Sequence, residues 1–462
     1  MSSSPNDSSN RSQIARTSLL VYALELAIAA AAVGAYKGYG THSTIASAHS
    51  ILMFGGVVAS LVLAAWLTQQ LRHSPRTTVI AIASSFLSTA LAFAFAEVAA
   101  RLLTRTADGA VSVGGVPLRP TWPEVVDRAR GLLGANGGDT KQTYFVYDPD
   151  LGWVVGRSRR SSDGRYSSSV EGIRSATPGI AFADLPPLDR IALIGDSNAF
   201  SFEVPFEESL GHFLEARLGQ VQVLNFGVDG YGIDQTYLRY LRDVRPWRPK
   251  VVVVVFIQHD LMRTMAVYPF VSFGWSGYLV KPRFDVEDGR LQVVNLPLPS
   301  PDAIFSAPAP SRLPFVDYDP GFVNTDWDWR FEHGPRLLRL VTSISPPWPK
   351  RQPAGHASVV DLNARILSEL VSTVARDGAT PLLVYLPQWI GDDATARRTL
   401  AQTKLKYLDM TDCVMQVPEP ERRVPSGHHY AAAGNRAIAQ CLAPEVSCAL
   451  DVQSGADCSR QN

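Results

Sequence analysis

A serine follows a short apolar run at Gly195-Asp196-Ser197. The run predicts a buried strand and the residues after it a helix, so the Ser197 hydroxyl is expected at a strand end. Backbone N–H groups at such a turn can hold an oxyanion while the hydroxyl attacks a carbonyl carbon. The three residues alone are equally typical of a serine that only caps a helix.

Glycines and histidines stand after the other predicted strands as well. Residues 225–232 (NFGVDGYG) contain glycines that let the backbone approach a ligand closely. Gln258-His259-Asp260 follows a valine-rich run, and Gly427-His428-His429-Tyr430 precedes a helical segment near the end of the chain. Because a serine nucleophile needs an adjacent base, these positions predict a serine–histidine pair.

Apolar runs and amphipathic segments alternate through most of residues 141–462. Strands are predicted at residues 190–195, 221–225, 250–256 and 380–386, and helices at 209–218, 234–241, 362–376 and 430–442. This alternation indicates a parallel, doubly wound α/β sheet, in which ligands bind beyond the carboxyl ends of the strands. Residues 262–350 form an insertion rich in Pro, Trp and Phe, which predicts a lid or substrate wall with a hairpin at 283–294.

The first quarter of the chain has a different composition. Its three apolar stretches, at residues 17–36, 51–68 and 79–96, each approach the length of a transmembrane helix. We therefore expect a membrane domain over residues 1–105 and a linker over 106–140, before a globular domain over 141–462. The whole chain carries 43 Lys+Arg and 43 Asp+Glu, so no excess of positive charge indicates a nucleic-acid partner.

The basic residues beside the apolar stretches favour one orientation in the membrane. With the N-terminus inside, four flanking arginines lie inside and three flanking basic residues outside (Arg11, Arg16, Arg72 and Arg76 against Lys37, Arg101 and Arg105). Three spans then place everything after residue 105 outside the cytoplasm, which predicts an inner-membrane protein with a periplasmic or extracytoplasmic catalytic domain.

The cysteines agree with an oxidising compartment. All four lie at or after residue 413 and none forms a CxxC pair, which disfavours zinc (Cys413, Cys441, Cys448 and Cys458). Cys413 and Cys441 bracket His429 and are expected to pair, as are Cys448 and Cys458. Two buried free thiols are the alternative for the first pair.

The order of these blocks resembles the SGNH (GDSL-type) hydrolase superfamily over about residues 144–445. The matching features are Gly-Asp-Ser at 195–197, Asn-x-Gly-x-x-Gly at 225–230, a polar pair after the valine-rich run, and His-Tyr followed by Gly-Asn-Arg at 429–436. Residues 148–153 and 172–174 are similar to the lead-in of membrane-anchored bacterial members. The resemblance implies a flavodoxin-like, three-layer α/β/α sandwich with a parallel sheet, here preceded by three transmembrane helices.

The resemblance also implies roles for particular residues. Ser197 would be the nucleophile, and its backbone N–H and that of Gly230 would donate to the oxyanion. His429 would be the general base, because its spacing to Gly434 fits the superfamily and that of His428 does not. His259 stands where the superfamily has an oxyanion asparagine, and it can donate one ring N–H.

The remaining acids leave alternatives open. Asp196 and Asp260 are expected to support the site by capping its loops. The superfamily's aspartate falls on Ser426 or Gly427, neither of which is acidic. The chain then has a serine–histidine dyad, a weakened site, or an acid supplied from elsewhere, for which the nearby candidates are Asp409, Asp412, Glu419 and Glu421.

The sequence therefore predicts a membrane-anchored serine esterase or acyltransferase. It would act through an acyl-serine intermediate on ester-linked acyl groups, such as those of cell-envelope glycans, without a metal or another cofactor. Whether water or a sugar hydroxyl accepts the acyl group is left open, as is the oligomeric state. The alternatives are a catalytically weak glycan-binding or envelope-assembly protein and, third, a nucleotide binder, which the absence of GxGxxG after the first strand disfavours.

Overall fold

The computed structural model describes residue 69 and residues 74–453, apart from 108–109, 135–143, 273–278, 329, 331–332, 345–356 and 388–392. The apolar stretches predicted at 17–36 and 51–68 lie outside the described residues. The chain divides into two compact units, one of Met1–Arg128 with Val323–Arg351 and one of Ala129–Phe322 with Gln352–Asn462.

The strands and helices alternate as follows. The strands are β1 (Thr104–Ala107), β2 (Ala110–Val113), β3 (Val116–Pro117), β4 (Phe145–Asp148), β5 (Gly152–Val155), β6 (Ser167–Ser168), β7 (Arg174–Ser175), β8 (Asp189–Gly195), β9 (Val221–Asn225), β10 (Val251–Phe256), β11 (Phe284–Glu287), β12 (Arg290–Val293), β13 (Thr380–Tyr385) and β14 (Leu408–Asp409). The α-helices are α1 (Pro75–Leu102), α2 (Trp122–Gly134), α3 (Ser197–Phe200), α4 (Leu210–Leu218), α5 (Ile233–Arg239), α6 (Gln258–Arg263), α7 (Pro269–Ser272), α8 (Pro301–Phe305), α9 (Asn324–Asp328), α10 (Arg336–Ile344), α11 (Val359–Arg376), α12 (Ala394–Thr403), α13 (Thr411–Met415), α14 (Glu419–Arg422) and α15 (Ala432–Gln453).

A seven-stranded sheet forms the centre of the second unit, in the order β14–β13–β10–β8–β9–β7–β6. The five strands from β14 to β9 are parallel, whereas β7 and β6 add to the edge in antiparallel fashion. The sheet is therefore mixed rather than wholly parallel. The two edge strands have only two residues each, too few to leave a periodic pattern in the sequence.

The core lies on both faces of this sheet, which makes a three-layer α/β/α arrangement. On one face, Val252, Val254 and Phe256 of β10 pack in a cluster with side chains of α5, α11 and α12. On the other, Val251, Val253 and Val255 pack with side chains of α4 and α15. Every residue of β10 is buried, because a central parallel strand is covered on both sides.

The parallel strands fix where a ligand can bind. Among the five parallel strands, β8 comes first in the chain. It lies between β9, the next along the chain, and β10, the one after, so the direction of winding reverses between β8 and β10. Open α/β sheets bind ligands beyond the carboxyl ends of the strands at this reversal. Ser197 follows β8 and His259 follows β10, so both stand at that position.

The range predicted as a linker, residues 106–140, contains regular secondary structure. An antiparallel sheet of β1, β2 and β3 and the helix α2 occupy much of it. Strands of two to four residues carry too few residues to show periodicity, which is why the sequence pattern missed them. Ahead of them, α1 contains the predicted stretch at 79–96 and is the one helix in the described part of the chain long and apolar enough to cross a membrane.

The insertion at 262–350 contributes to both units. The predicted hairpin is present as β11 and β12, which turn at Asp288 and Gly289. Residues up to Phe322 belong to the second unit, and α9 and α10 belong to the first.

A disulfide joins Cys413 of α13 to Cys441 of α15, as the sequence predicts. Cys448 is also disulfide-bonded, and Cys458 lies outside the described residues.

Candidate active site

Ser197 opens α3 directly after β8 and is almost completely buried. Asp196 caps this short helix, since its carboxylate accepts a hydrogen bond of 2.8 Å from the Asn198 N–H. Gly195 has a φ of 147°, and a Cβ there would lie 2.2 Å from the Val255 carbonyl oxygen of β10. Only glycine fits this close approach, so the Gly-Asp-Ser sequence sets the sharp turn that presents the hydroxyl.

Three side chains form a hydrogen-bonded chain at this strand end. His429 Nε2 lies 3.0 Å from Ser197 Oγ, and His429 Nδ1 lies 2.5 Å from Glu203 Oε2. With the Nδ1 proton directed at the carboxylate, Nε2 is free to accept the serine proton. The structure thus brings together the predicted Ser197 and His429 and adds an acid that the sequence reasoning did not identify.

Glu203 owes its position to a strained loop after α3. Both Ser201 and Glu203 have left-handed backbone conformations, with φ of 62° and 69°. Non-glycine residues rarely adopt this conformation, and each costs about 1–3 kcal/mol. The loop is held in place by a hydrogen bond of 2.7 Å from the Glu203 N–H to the Tyr166 hydroxyl oxygen.

Arg174 stabilises the same loop, residues 200–204, through hydrogen bonds to its backbone. Its guanidinium donates to the carbonyl oxygens of Phe200, Ser201 and Val204, the last two at 2.7 and 2.6 Å. It is fully buried and packs over the Phe200 ring, 4.4 Å from the ring centroid. Burial lowers the pKa of Arg174 to about 10, so the side chain remains charged at neutral pH. Arg174 therefore positions the acid without contacting it.

The carboxylate of Glu203 is ionised in this setting. Burial would raise its pKa, but hydrogen bonds from His429 and Ser426 outweigh that effect and hold the pKa below its usual range. Ser426 Oγ donates to Glu203 Oε2 at 2.7 Å and accepts a bond of 3.2 Å from the His428 N–H. Ser426 thus links the loop that contains His428 and His429 to the Glu203 carboxylate.

None of the four acids suggested by the sequence takes this position. Asp409 binds Thr411 and Arg397, and the other three lie on the short helices α13 and α14 (Asp412, Glu419 and Glu421). Glu203 follows Ser197 by only six residues and is the one acid in the otherwise uncharged stretch 197–206. That local signal was present in the sequence.

A cavity of about 410 Å³ opens beside the serine. Its walls include Gly230, His259, His428 and His429, with Phe202 and Ile257 as the larger apolar surfaces. Gly230 has a φ of 77°, a conformation that favours glycine at this turn. The predicted oxyanion residues Gly230 and His259 thus line the same cavity as the nucleophile.

His259 is set up to act as a neutral donor. Desolvation in the cavity and the nearby Arg263 cation lower its pKa. The neutral imidazole therefore predominates at neutral pH, with one ring N–H to donate.

Asp196 and Asp260 both form ion pairs with Arg263, a residue of the cavity wall. One guanidinium nitrogen of Arg263 lies 2.5 Å from Asp260 Oδ1 and 3.4 Å from Asp196 Oδ2. Burial, and then the charge of Asp196, raise the pKa of Asp260 well above its usual range, although Arg263 opposes this. Asp260 also accepts from the Ile257 N–H at 3.0 Å, so the pair holds the turns after β8 and β10.

The described residues contain no group of three or more His, Cys, Asp or Glu side chains arranged to hold a metal ion. The groups described at the site are the Ser197 hydroxyl, the His429 imidazole, the Glu203 carboxylate and the candidate N–H donors.

No protein-family model and no curated protein sequence matches this chain. Solved structures that are similar to it include the lipase/acylhydrolase from Enterococcus faecalis, at 11% identity over 59% of this chain and 100% of that chain, with a TM-score of 0.29. An acetylxylan esterase from Geobacillus stearothermophilus is similar at 13% identity over 59% of this chain and 97% of that chain, with a TM-score of 0.28. Likenesses at this level carry no argument about activity, which has to come from the chain's own residues.

Proposed function

We propose that this protein is a membrane-anchored serine esterase or acyltransferase of the SGNH hydrolase type. The observation that carries the proposal is the hydrogen-bonded chain from Ser197 Oγ through the His429 ring to the Glu203 carboxylate. A buried serine with a base and an orienting acid beside a cavity is the arrangement that acyl transfer through serine requires.

The geometry supports a two-stage reaction. Ser197 Oγ attacks the ester carbonyl carbon while His429 Nε2 takes the hydroxyl proton, and the Glu203 carboxylate stabilises the resulting imidazolium. The N–H groups of Ser197 and Gly230 and the ring N–H of His259 donate to the negative oxygen. His429 then protonates the departing alcohol, which leaves the acyl group on Ser197.

Water or a sugar hydroxyl completes the cycle. Either acceptor gives its proton to His429 Nε2 as its oxygen attacks the acyl-serine carbonyl, and Ser197 Oγ leaves with a proton from the same ring. The first acceptor makes the protein an esterase, and the second makes it an acyltransferase. Ester-linked acyl groups of cell-envelope glycans are the substrates we propose, because the anchor would hold the site beside the envelope.

The proposed anchor is α1 together with the apolar stretches at 17–36 and 51–68. The 28 residues of α1 have a most apolar window of mean hydropathy 2.0, and only 11% of that window is buried within the protein. A helix of this length spans about 42 Å, more than the hydrocarbon core of a bilayer. The arginines beside the stretches and the disulfides favour an exported catalytic unit.

Glu203 weakens the case for the rival function. The binding-protein alternative relied on two departures from the superfamily, a lost acid and a substituted asparagine. The acid now has a replacement in hydrogen-bonding contact with the base, so only the asparagine substitution, His259, still favours a catalytically weak protein.

A fluorophosphonate probe tests the proposal directly. The purified full chain in detergent should be labelled at Ser197, and heat denaturation should abolish labelling. Ser197→Ala should remove the label, whereas Ser368→Ala should keep it, because the Ser368 hydroxyl donates to the Ala364 carbonyl oxygen of its own helix. A folded wild-type protein that takes no label and hydrolyses no acyl ester would overturn the proposal. An acetyl donor supplied with and without a sugar acceptor then separates transfer from hydrolysis.

A further inference from the structure

Helix α10 has one apolar side that no described residue of the first unit covers. Leu338, Val341 and Ile344 are 39%, 51% and 60% exposed, and their spacing of three residues aligns them along one stripe. A helix that belonged only to a water-soluble surface would carry polar residues here. The stripe is therefore a feature that needs a partner.

The opposite side of α10 forms polar contacts with Arg119 and Glu124. Arg339 is buried and pairs with both carboxylate oxygens of Glu124, and its guanidinium also donates to the Arg119 carbonyl oxygen at 3.0 Å. Arg119 N–H donates to Ser343 Oγ at 2.9 Å. These contacts fix the rotation of the helix about its axis, so the apolar stripe faces away from the segment that carries Arg119 and Glu124.

The start of α10 is tied to the end of α1. The carboxylate of Glu97 accepts hydrogen bonds of 3.0 and 2.8 Å from the N–H groups of Arg336 and Leu337, the first two residues of α10. An acidic side chain at a helix N-terminus satisfies these otherwise unpaired donors. Glu97 lies five residues before Leu102, the last residue of α1, which is about 7.5 Å along the helix axis.

The neighbouring surface of α1 is also apolar. Phe95, Val98 and Leu102 are more than half exposed, on the last two turns of the helix. Arg101 lies among them and bonds to Glu97 at 2.6 Å. Apolar side chains beside arginines at the end of a spanning helix are typical of the boundary between acyl chains and headgroups.

We propose that α10 lies in the surface of the bilayer that α1 crosses, with Leu338, Val341 and Ile344 inserted among the lipid acyl chains. The proposal rests on the anchoring proposed above and adds a second, peripheral contact to it. A lipid surface fits better than a protein partner, because a stripe of three side chains is far below the roughly 800 Å² per partner of a stable protein interface. An amphipathic helix needs only its apolar side to enter the boundary by about 5–10 Å.

Spin labels on the full chain in lipid nanodiscs test this. Single cysteines are introduced as Val341→Cys and Ile344→Cys on the stripe, Phe86→Cys near the middle of α1, and Leu188→Cys as an exposed leucine of the second unit. No cysteine is free among the described residues, so the labels should be selective. Accessibility to oxygen, which concentrates in lipid, is compared with accessibility to a water-soluble nickel complex.

We expect oxygen to be favoured at positions 341, 344 and 86, with the first two shallower than the third, and nickel to be favoured at 188. Nickel favoured at 341 and 344 with oxygen at 86 would overturn the α10 proposal and leave the anchor intact. Nickel favoured at 86 as well would overturn the anchor and with it the α10 proposal. Immobile labels at 341 and 344 that reach neither reagent would show that protein covers the stripe, and would also overturn it.

Discussion

Ser426 Oγ donates a hydrogen bond of 2.7 Å to Glu203 Oε2, the oxygen that also binds His429 Nδ1. Ser426 stands three residues before His429 and, with Gly427, is one of the two positions where the resemblance to SGNH hydrolases predicts an aspartate. The Ser426 hydroxyl therefore hydrogen-bonds to the Glu203 carboxylate, which comes from another part of the chain. The carboxylate itself comes from the loop that follows the nucleophile.

Glu203→Gln should lower kcat by about 10²–10⁴-fold, because an amide in place of the carboxylate no longer stabilises the imidazolium or its tautomer. Steady-state turnover of p-nitrophenyl acetate measures the loss, with a melting curve to establish folding. Asp409→Asn is the matched control and should retain most activity, since Asp409 contacts Thr411 and Arg397 and not the base.

A rescue experiment sharpens this test. Ser426→Asp in the Glu203→Gln background places a carboxylate beside the His429 loop, because the Ser426 hydroxyl already reaches Glu203 at 2.7 Å, and should recover part of the lost rate. A folded Glu203→Gln protein with wild-type turnover would exclude Glu203 from the reaction.

Ser197→Ala and His429→Ala should each abolish most ester turnover. The double variant should be scarcely slower than either single variant, because residues that act as one unit are not additive. His428→Ala should retain most activity, since it is His429, and not His428, whose ring nitrogen lies within hydrogen-bonding distance of Ser197 Oγ. Losses that simply multiply in the double variant would contradict a serine–histidine pair.

His259 should prove to be an oxyanion donor. His259→Ala should reduce kcat by about 10²–10³-fold, which is the usual effect of removing one such donor. His259→Asn should preserve or raise the rate, because asparagine donates an N–H from the same position. Equal rates for the alanine variant and the wild type would remove His259 from the oxyanion site.

Asp260 should make stability depend on pH in an unusual direction. Its pKa is raised in the folded protein by burial and by Asp196, so the folded state keeps a proton that the unfolded state loses near pH 4. The free energy of unfolding therefore decreases as pH rises through this range toward the raised pKa. Asp260→Asn should flatten that slope in melting temperatures measured from about pH 4 to 8.

Asp409→Asn is a control in which the pH dependence of stability has the opposite sign. Burial would raise the pKa of Asp409, but its hydrogen bonds from Thr411 and Arg397 lower it overall. Its stabilising contribution is present above the unfolded pKa and disappears as pH falls. A slope left unchanged by Asp260→Asn would contradict the assignment of the proton to Asp260.

The disulfide should contribute mainly to stability. Replacing both Cys413 and Cys441 by serine should lower the free energy of unfolding by about 3.6 kcal/mol, the chain-entropy value for a closed loop of this size. The sequence separation of the pair is 28 residues. Chemical denaturation measures the change, and non-reducing mass mapping of exported protein identifies the pair. Free thiols at both positions would contradict it.

The central strands were predictable because their residues are apolar and β-branched in short runs. The strands expected at 190–195, 221–225, 250–256 and 380–386 all form, within one residue at each end. The closing helix was predicted to end at residue 442 but continues to Gln453 through Pro444. Packing of Val446 and Ala449 in the core outweighs the lost backbone hydrogen bond at proline.

The acid of the site depended on information that residue types do not carry. Its approach to His429 requires left-handed turns at Ser201 and Glu203, neither of which is a glycine. Those turns persist because buried Arg174 and Tyr166 hold them, through contacts between segments far apart in sequence. Local propensity predicts neither the turns nor the contacts, so the position of Glu203 close to Ser197 in the sequence did not by itself indicate that its carboxylate reaches His429.

Nucleophile and acid occupy one stretch of seven residues, 197–203, while the base comes from a loop more than two hundred residues later. A signature for related sequences can therefore be written from the serine block alone: Gly-Asp-Ser, with a glutamate six places after the serine. A related sequence that lacks an aspartate before the histidine but keeps this glutamate would then carry all three side chains of the hydrogen-bonded chain. The histidine block alone would miss the carboxylate of such a sequence.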